Sequence, residues 1–290
     1  MAGDKPEQKP SRFVGIFEGF RAELDQHHDR RERIIKASRD ITASSKKIIF
    51  TLQRVRTVGQ PLPAFVNKNN QQYWDTIKTQ YSNIAADLQG LNAYRYSHNI
   101  TGGNQEFMEA LSFQHYLETQ DLISYEESKS RVAALCGEPG TIPLTPEDYI
   151  LGICDMTGEL MRFSITSMAT NGELPSSKHT SNKRLKQEGT HEDASDKMDI
   201  DEDASSGADT QKPRTVLDDL RAIRLQLEMF EAPGGSKFGN DLEGKKMPVM
   251  RECVDKVEKA LYGLTVRGSE RPKGWMPDVS TQRGAEVEGY

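Results

Sequence analysis

From Ser11 to Gly59 the chain contains no proline, and apolar residues recur at helical spacing through Phe13, Phe17, Phe20, Leu24, Ile34, Ile41, Ile48, Leu52 and Val55. This is the period of an α-helix that buries one stripe. It predicts a very long first helix, on the order of 65–70 Å at about 1.5 Å per residue. A compact small domain has no room for such a helix, so packing in a bundle or across subunits is expected. Pro61-Leu62-Pro63 ends the pattern, and a second stripe follows through Tyr73, Trp74, Ile77, Tyr81, Ile84, Leu88 and Leu91. A third helix is expected over about 94–119, weakened at Gly102-Gly103 by about 1 kcal/mol per glycine relative to alanine. Ser124-Tyr125-Glu126-Glu127 has the form of a capping box opening a short fourth helix before Gly137. Thr145-Pro146 supplies a cap and a first-turn proline to a fifth helix running from Glu147 to about Met168. Two more helices, over about 215–231 and 247–267, flank a loop at Pro233-Gly234-Gly235. No run alternates with period two between turns, so the expectation is an all-α chain of seven helices.

An apolar fraction of 35% is lean for 290 residues and suggests that some helix faces meet another chain. The formal charge of -6 is unevenly placed. Nine Lys or Arg lie between Arg30 and Arg56 against Glu32 and Asp40, whereas 172–213 holds ten acidic and six basic residues with almost no aromatic ones. That acidic segment cannot bury enough surface to offset its ordering entropy, and it reads as a disordered insertion. It divides a helical region at 11–171 from its completion at 214–270, with tails at 1–10 and 271–290. Cys136, Cys154 and Cys253 are odd in number and far apart, which supports neither a disulfide framework nor a zinc site and fits a reducing compartment. Met1 to Pro10 lacks an apolar signal core, and no run approaches the roughly 18 apolar residues of a membrane span. A soluble, cytoplasmic protein is expected. Lys183-Arg184-Leu185-Lys186 has the form of a nuclear import signal, so the nucleus is a second location. The glycosylation pattern at Asn99-Ile100-Thr101 is then a chance match.

Two acidic pairs carry candidate chemistry. Glu106 and Glu109 are three apart on the third helix, and Asp155 and Glu159 are four apart on the fifth, so each pair shares a helix face with Cβ atoms about 5–6 Å apart. Such pairs are ordinarily wet surface, because charged residues are mostly exposed. Here they sit among Phe107, Met108, Leu111 and Phe113, and among Ile153, Cys154, Leu160 and Met161, which fits partly buried acids. If the two faces meet, four carboxylates converge in an oxygen-rich cluster suited to Mg²⁺, with Mn²⁺ as a substitute. Ions of this kind hold a phosphodiester and activate water.

The same residues carry a resemblance. Glu23-Leu24-Asp25, His28-Asp29, Glu32-Arg33, Lys36 and Ser38-Arg39-Asp40-Ile41-Thr42 resemble the first helix of the factor X branch of the translin family. So do Gln105-Glu106-Phe107-Met108-Glu109-Ala110 with Ser112-Phe113-Gln114-His115, and Asp148-Tyr149-Ile150-Leu151-Gly152 leading to Asp155-Met156-Thr157-Gly158-Glu159-Leu160-Met161-Arg162. Val266-Arg267-Gly268-Ser269-Glu270 completes the set, which spans about 11–278. The resemblance implies a seven-helix bundle of the translin type that joins translin in a closed, octameric hetero-oligomer. It also implies an Mg²⁺-dependent endoribonuclease acting on single-stranded RNA, in passenger-strand removal during RNA silencing and in transfer-RNA fragment processing. The implied catalytic and metal-holding residues are Glu106, Glu109, Asp155 and Glu159. The 172–213 segment is longer and more charged than the family pattern. A non-catalytic nucleic-acid-binding or scaffolding subunit that stabilises translin is the alternative.

The basic run Arg30, Arg31, Arg33, Lys36, Arg39, Lys46 and Lys47 reads either as a solvated helix face or as an electrostatic track for RNA phosphates. His27, His28, His98 and His115 lack metal-ligand spacing and read as structural or surface residues. The segment 239–246 nearly matches a phosphate-binding loop. Lys246 stands where Ser or Thr would reach Mg²⁺, however, and no strand precedes it, so nucleotide binding is not expected there.

Overall fold

The computed structural model describes residues 11, 13–137, 140–176 and 213–267. The expected tails at 1–10 and 271–290, residues 177–212 of the expected 172–213 insertion with its 183–186 cluster, and 268–270 of the last motif lie outside these residues. The described residues form α1 (Val14–Leu52), α2 (Ala64–Ala85), α3 (Leu91–Thr119), α4 (Tyr125–Cys136), α5 (Pro146–Asn171) and α6 (Val216–Glu228). A seventh helical unit runs without a break through α7 (Lys237–Asp241), a π-helical turn (Leu242–Lys246) and α8 (Met247–Arg267). The all-α, seven-helix expectation holds, and the one strand-like feature among the described residues is an isolated bridge between Ser176 and Thr215.

The caps show why the helices begin where they do. Thr145 Oγ1 accepts the Asp148 N–H at 3.1 Å and Pro146 occupies the first turn of α5, which satisfies one orphan donor and removes another. Ser124 Oγ accepts the Glu127 N–H at 3.1 Å at the start of α4. A reciprocal capping box closes at α6, where Thr215 and Asp218 each bond the other's backbone N–H.

Helix α1, with 39 residues, is about 58 Å long, somewhat shorter than the sequence predicts. It packs on α2 and α3, α3 on α5, and α5 on α8, with α4 against α2 and α6 against α8. Helices α1 and α3 run in the same direction, because His27 meets Tyr96 while Ser38 meets Gly103. Gly103 does more than weaken its helix. A β-carbon there would lie 3.0 Å from Ser38 Oγ and 3.1 Å from Ser38 Cα, so its absence lets α1 and α3 close up. The Gly103 N–H also donates to Ser38 Oγ at 3.0 Å.

The core is built from Ile34, Ile41, Ile48 and Leu52 of α1, Ile77 and Tyr81 of α2, and Phe107 and Phe113 of α3, all fully enclosed. Tyr81 meets Phe107 edge-on with ring centres 5.4 Å apart. The sequence stripes need correction at their ends. Phe13, Phe17, Phe20 and Leu24 are exposed, because α1 extends past the start of α3. Leu91 opens α3 on the outside and is 86% exposed.

Candidate functional site

Glu106 and Glu109 on α3 face Asp155 and Glu159 on α5 across a cleft of about 740 Å³, walled by Lys46, Ile49, Phe50 and Gln53 of α1 and by Lys245, Lys246 and Val249 of the last helical unit. All four acids named from the sequence line this one cleft. Two features set this closeness. Gly152 of α5 lies against α3, where a β-carbon would come within 2.5 Å of Met108 Cβ and 3.0 Å of Gln105 O. A buried polar knot then fixes the sliding register. Asn104 Nδ2 donates to Asp148 Oδ2 at 3.1 Å and Gln105 Nε2 to Asp148 Oδ1 at 3.4 Å, while Tyr81 donates to Asn104 Oδ1 at 3.1 Å. Burial pushes the Asp148 carboxyl up, and the bonds from Asn104, Gln105 and Thr145 pull it back.

The acids differ in how they are held. Glu159 accepts Gln53 Nε2 at 2.6 Å and Arg162 Nη1 at 2.7 Å, and Gln53 also donates to the Glu159 main-chain carbonyl at 2.9 Å. Lys46 Nζ lies 3.2 Å from Glu106 Oε1. Lys246 Nζ lies 2.6 Å from each oxygen of Asp155. Glu109 is only 9% exposed, and its carboxyl has no hydrogen bond or ion pair among the described residues. Its ionisation is pushed up to about 8, first by burial and then by the negative fields of Asp155, Glu106 and Glu159, with Lys246 opposing. Burial also raises Glu106, against the pull of Lys46.

The donor set is all oxygen, which suits a hard divalent cation, and an enclosed, unpaired carboxyl among three others is what such a cation would relieve. In the conformation described, no group of three or more His, Cys, Asp or Glu among the described residues is arranged as a ready coordination sphere. The reason is visible in the partners, since Lys46, Lys246, Gln53 and Arg162 now hold three of the four acids.

Sequence reasoning missed the roles of Lys246 and Gln53. Lys246 was visible as a mismatch in the 239–246 pattern, which folds as helix and π turn rather than as a phosphate loop. The basic run divides in two. Arg30 Nε donates to Asp87 Oδ1 at 3.1 Å, while Arg33 donates to Asp87 Oδ2 at 3.0 Å and Oδ1 at 2.9 Å, which clamps the turn after α2. Although burial opposes it, these bonds from Arg33 and Arg30 hold the Asp87 carboxyl below the usual range. Arg31, Lys36 and Arg39 are exposed on α1. His27 meets Tyr96 and Arg95, in keeping with a structural role.

A translin-family model matches residues 29–268, a span that takes in both acidic pairs. This chain belongs to the translin family. It is 30% identical to mouse translin-associated protein X over 281 residues, covering 91% of this chain and 82% of that one. It is 36% identical to a fission yeast translin-associated protein X homologue over 152 residues, 52% of this chain and 61% of the other. Mouse translin is 26% identical over 168 residues, 57% of this chain and 73% of translin. Among solved structures the translin-family fold recurs in apo-NeC3PO, with a TM-score of 0.53 at 16% identity over 88% of this chain and 97% of that one. An AfC3PO–duplex RNA complex gives 0.51 at 15% identity over 88% and 99%. The family match begins at residue 29, after the exposed first turns of α1. No helix among the described residues is long and apolar enough to cross a membrane.

Proposed function

We propose that this chain is the nuclease subunit of a translin-type hetero-oligomer and hydrolyses phosphodiester bonds of RNA with Mg²⁺ held by Glu106, Glu109, Asp155 and Glu159. The observation that carries the reading is Glu109, enclosed without a partner beside three further carboxyls. Like charges gathered in this way cost stability, and a structural role gives no return for them. A bound divalent cation would neutralise phosphate charge and make water a better nucleophile. Gln53 and Arg162 orient Glu159, and Ile49, Phe50 and Val249 line the remaining walls. The greater likeness to the translin-associated protein X relatives than to translin supports the factor X side of the assembly. An RNA-bound structure of the same fold supports RNA as ligand, and the duplex in it leaves single-strand preference to be measured. The exposed stripe of Phe13, Phe17, Phe20 and Leu24 supports assembly, since a lone helix end with this much apolar surface is stabilised by a partner chain.

The test is cleavage of labelled RNA by the chain co-expressed with translin, with and without Mg²⁺. Glu106→Gln and Asp155→Asn should each abolish cutting and leave assembly intact. Undiminished Mg²⁺-dependent cleavage by either variant would refute the assignment. A scaffolding subunit is the second reading, favoured by the neutralisation of three acids by side chains already present. It predicts no dependence of cleavage on these residues.

A further inference from the structure

Both oxygens of Asp155 are taken up by the Lys246 ammonium, each at 2.6 Å. The other two bases paired with the four acids lie further into solvent, Lys46 being 63% and Arg162 66% exposed against 29% for Lys246. Water screens those two pairs, whereas Lys246 is set into the wall. Its position comes from the π-helical turn. Pro248 has no N–H to continue an α-helical ladder, and the wider turn at Leu242–Lys246 keeps Leu242 and Met247, five residues apart, both in the core with Lys246 between them on the cleft side.

We propose that Lys246 is an exchangeable counter-ion. It balances Asp155 until a divalent cation takes that carboxylate, and its freed ammonium then holds an oxygen of the RNA phosphodiester. The inference rests on the metal-site reading given above and adds an order of events to it. Without a cation, Lys46, Lys246 and Arg162 do no more than balance the acids, so the walls carry no positive excess, and Lys245 adds nothing because it is paired with Asp241. A phosphodiester gains no net attraction in that state. One divalent cation makes the walls net positive, so cation binding precedes phosphate binding. Lysine suits the exchange, since its ammonium sits on a flexible four-carbon stem and can change partners without movement of the backbone. Both partners remain partly exposed, so an incoming cation can reach the Asp155 carboxylate.

The experiment uses the full chain co-purified with translin. Mn²⁺ binding is titrated by electron paramagnetic resonance, and binding of a short RNA is measured in Ca²⁺, which shares the oxygen preference of Mg²⁺. Lys246→Gln should bind Mn²⁺ about tenfold more tightly, because a positive charge beside the site has gone. It should bind RNA more weakly, with the slope of log affinity against log salt reduced by about 0.7. Lys246→Arg, which keeps the charge, should stay near wild type in the slope. Unchanged or weaker Mn²⁺ binding by Lys246→Gln overturns the exchange, as does an unchanged salt slope. Absence of Mn²⁺ binding by the wild-type complex overturns the metal site itself, and the exchange with it.

Discussion

Gly152 of α5 stands against Met108 of α3 so closely that a β-carbon at 152 would lie 2.5 Å from Met108 Cβ. The contact sits one helical turn from Asp155 on one side and beside Glu109 on the other, so it sets the width of the acidic cleft. Gly152→Ala should cost about 1–3 kcal/mol by overpacking, read as a lowered denaturation midpoint. It should also weaken divalent-cation binding by spreading α3 from α5. A variant with wild-type stability would show that the helices adjust freely.

Glu109 gives the cleft a pH dependence. Its folded value of about 8 lies above the usual carboxylate range, so over the interval between them the folded chain holds a proton that the unfolded chain has lost. The stability contribution is therefore complete in acid, falls as pH rises from about 4.5, and is lost through about 8. Glu109→Gln should flatten that decline in denaturant unfolding measured at pH 5, 7 and 9 with a chelator present. An equal decline in both proteins would show that other groups cause it.

Asp219 is enclosed and accepts Tyr116 Oη at 2.6 Å, Gln120 Nε2 at 3.0 Å and the Arg214 guanidinium. Burial, then the bond to Asp219, raises the Tyr116 hydroxyl, so it remains a donor at any working pH. Asp219→Ala would strand these donors and should cost about 3 kcal/mol, measured by chemical unfolding. Activity per folded complex should persist, because the knot is apart from the acids.

Arg30 and Arg33 are committed to Asp87, whereas Lys36 and Arg39 are exposed without such a clamp. Neutralising Arg30 and Arg33 should lower the melting temperature with a modest effect on RNA affinity. Neutralising Lys36 and Arg39 should leave melting unchanged and reduce the salt slope of RNA binding by about 0.7 per charge lost. An RNA affinity that ignores both pairs would remove α1 from the binding surface.

Helix count, caps and acidic pairs were legible because each is local: Thr145-Pro146 and the three- and four-residue spacings need no knowledge of the fold. What pairs with each acid was not legible. Gln53 reaches Glu159 across 106 positions, and Lys246 reaches Asp155 across 91. The helical run before Met247 was hidden by its own geometry. Leu242 and Met247 are five apart, a spacing that in a regular α-helix turns one side chain about 140° from the other, so the period search loses the pattern there. The stripe through Phe17, Phe20 and Leu24 was legible as apolar, but only the structure shows that it stays exposed among the described residues.

Backbone pairing of Ser176 with Thr215, and of Val216 N–H with Pro175 O at 3.0 Å, brings the chain back to the point where it left the bundle. The helices on either side of 177–212 are joined by packing of α5 on α6 and α8, independently of the covalent link between them. A single proteolytic cut within 177–212 should therefore yield two fragments that co-elute as one particle and melt as one unit. The polypeptide would behave as two interlocking pieces for which the peptide tether is dispensable once folding is complete.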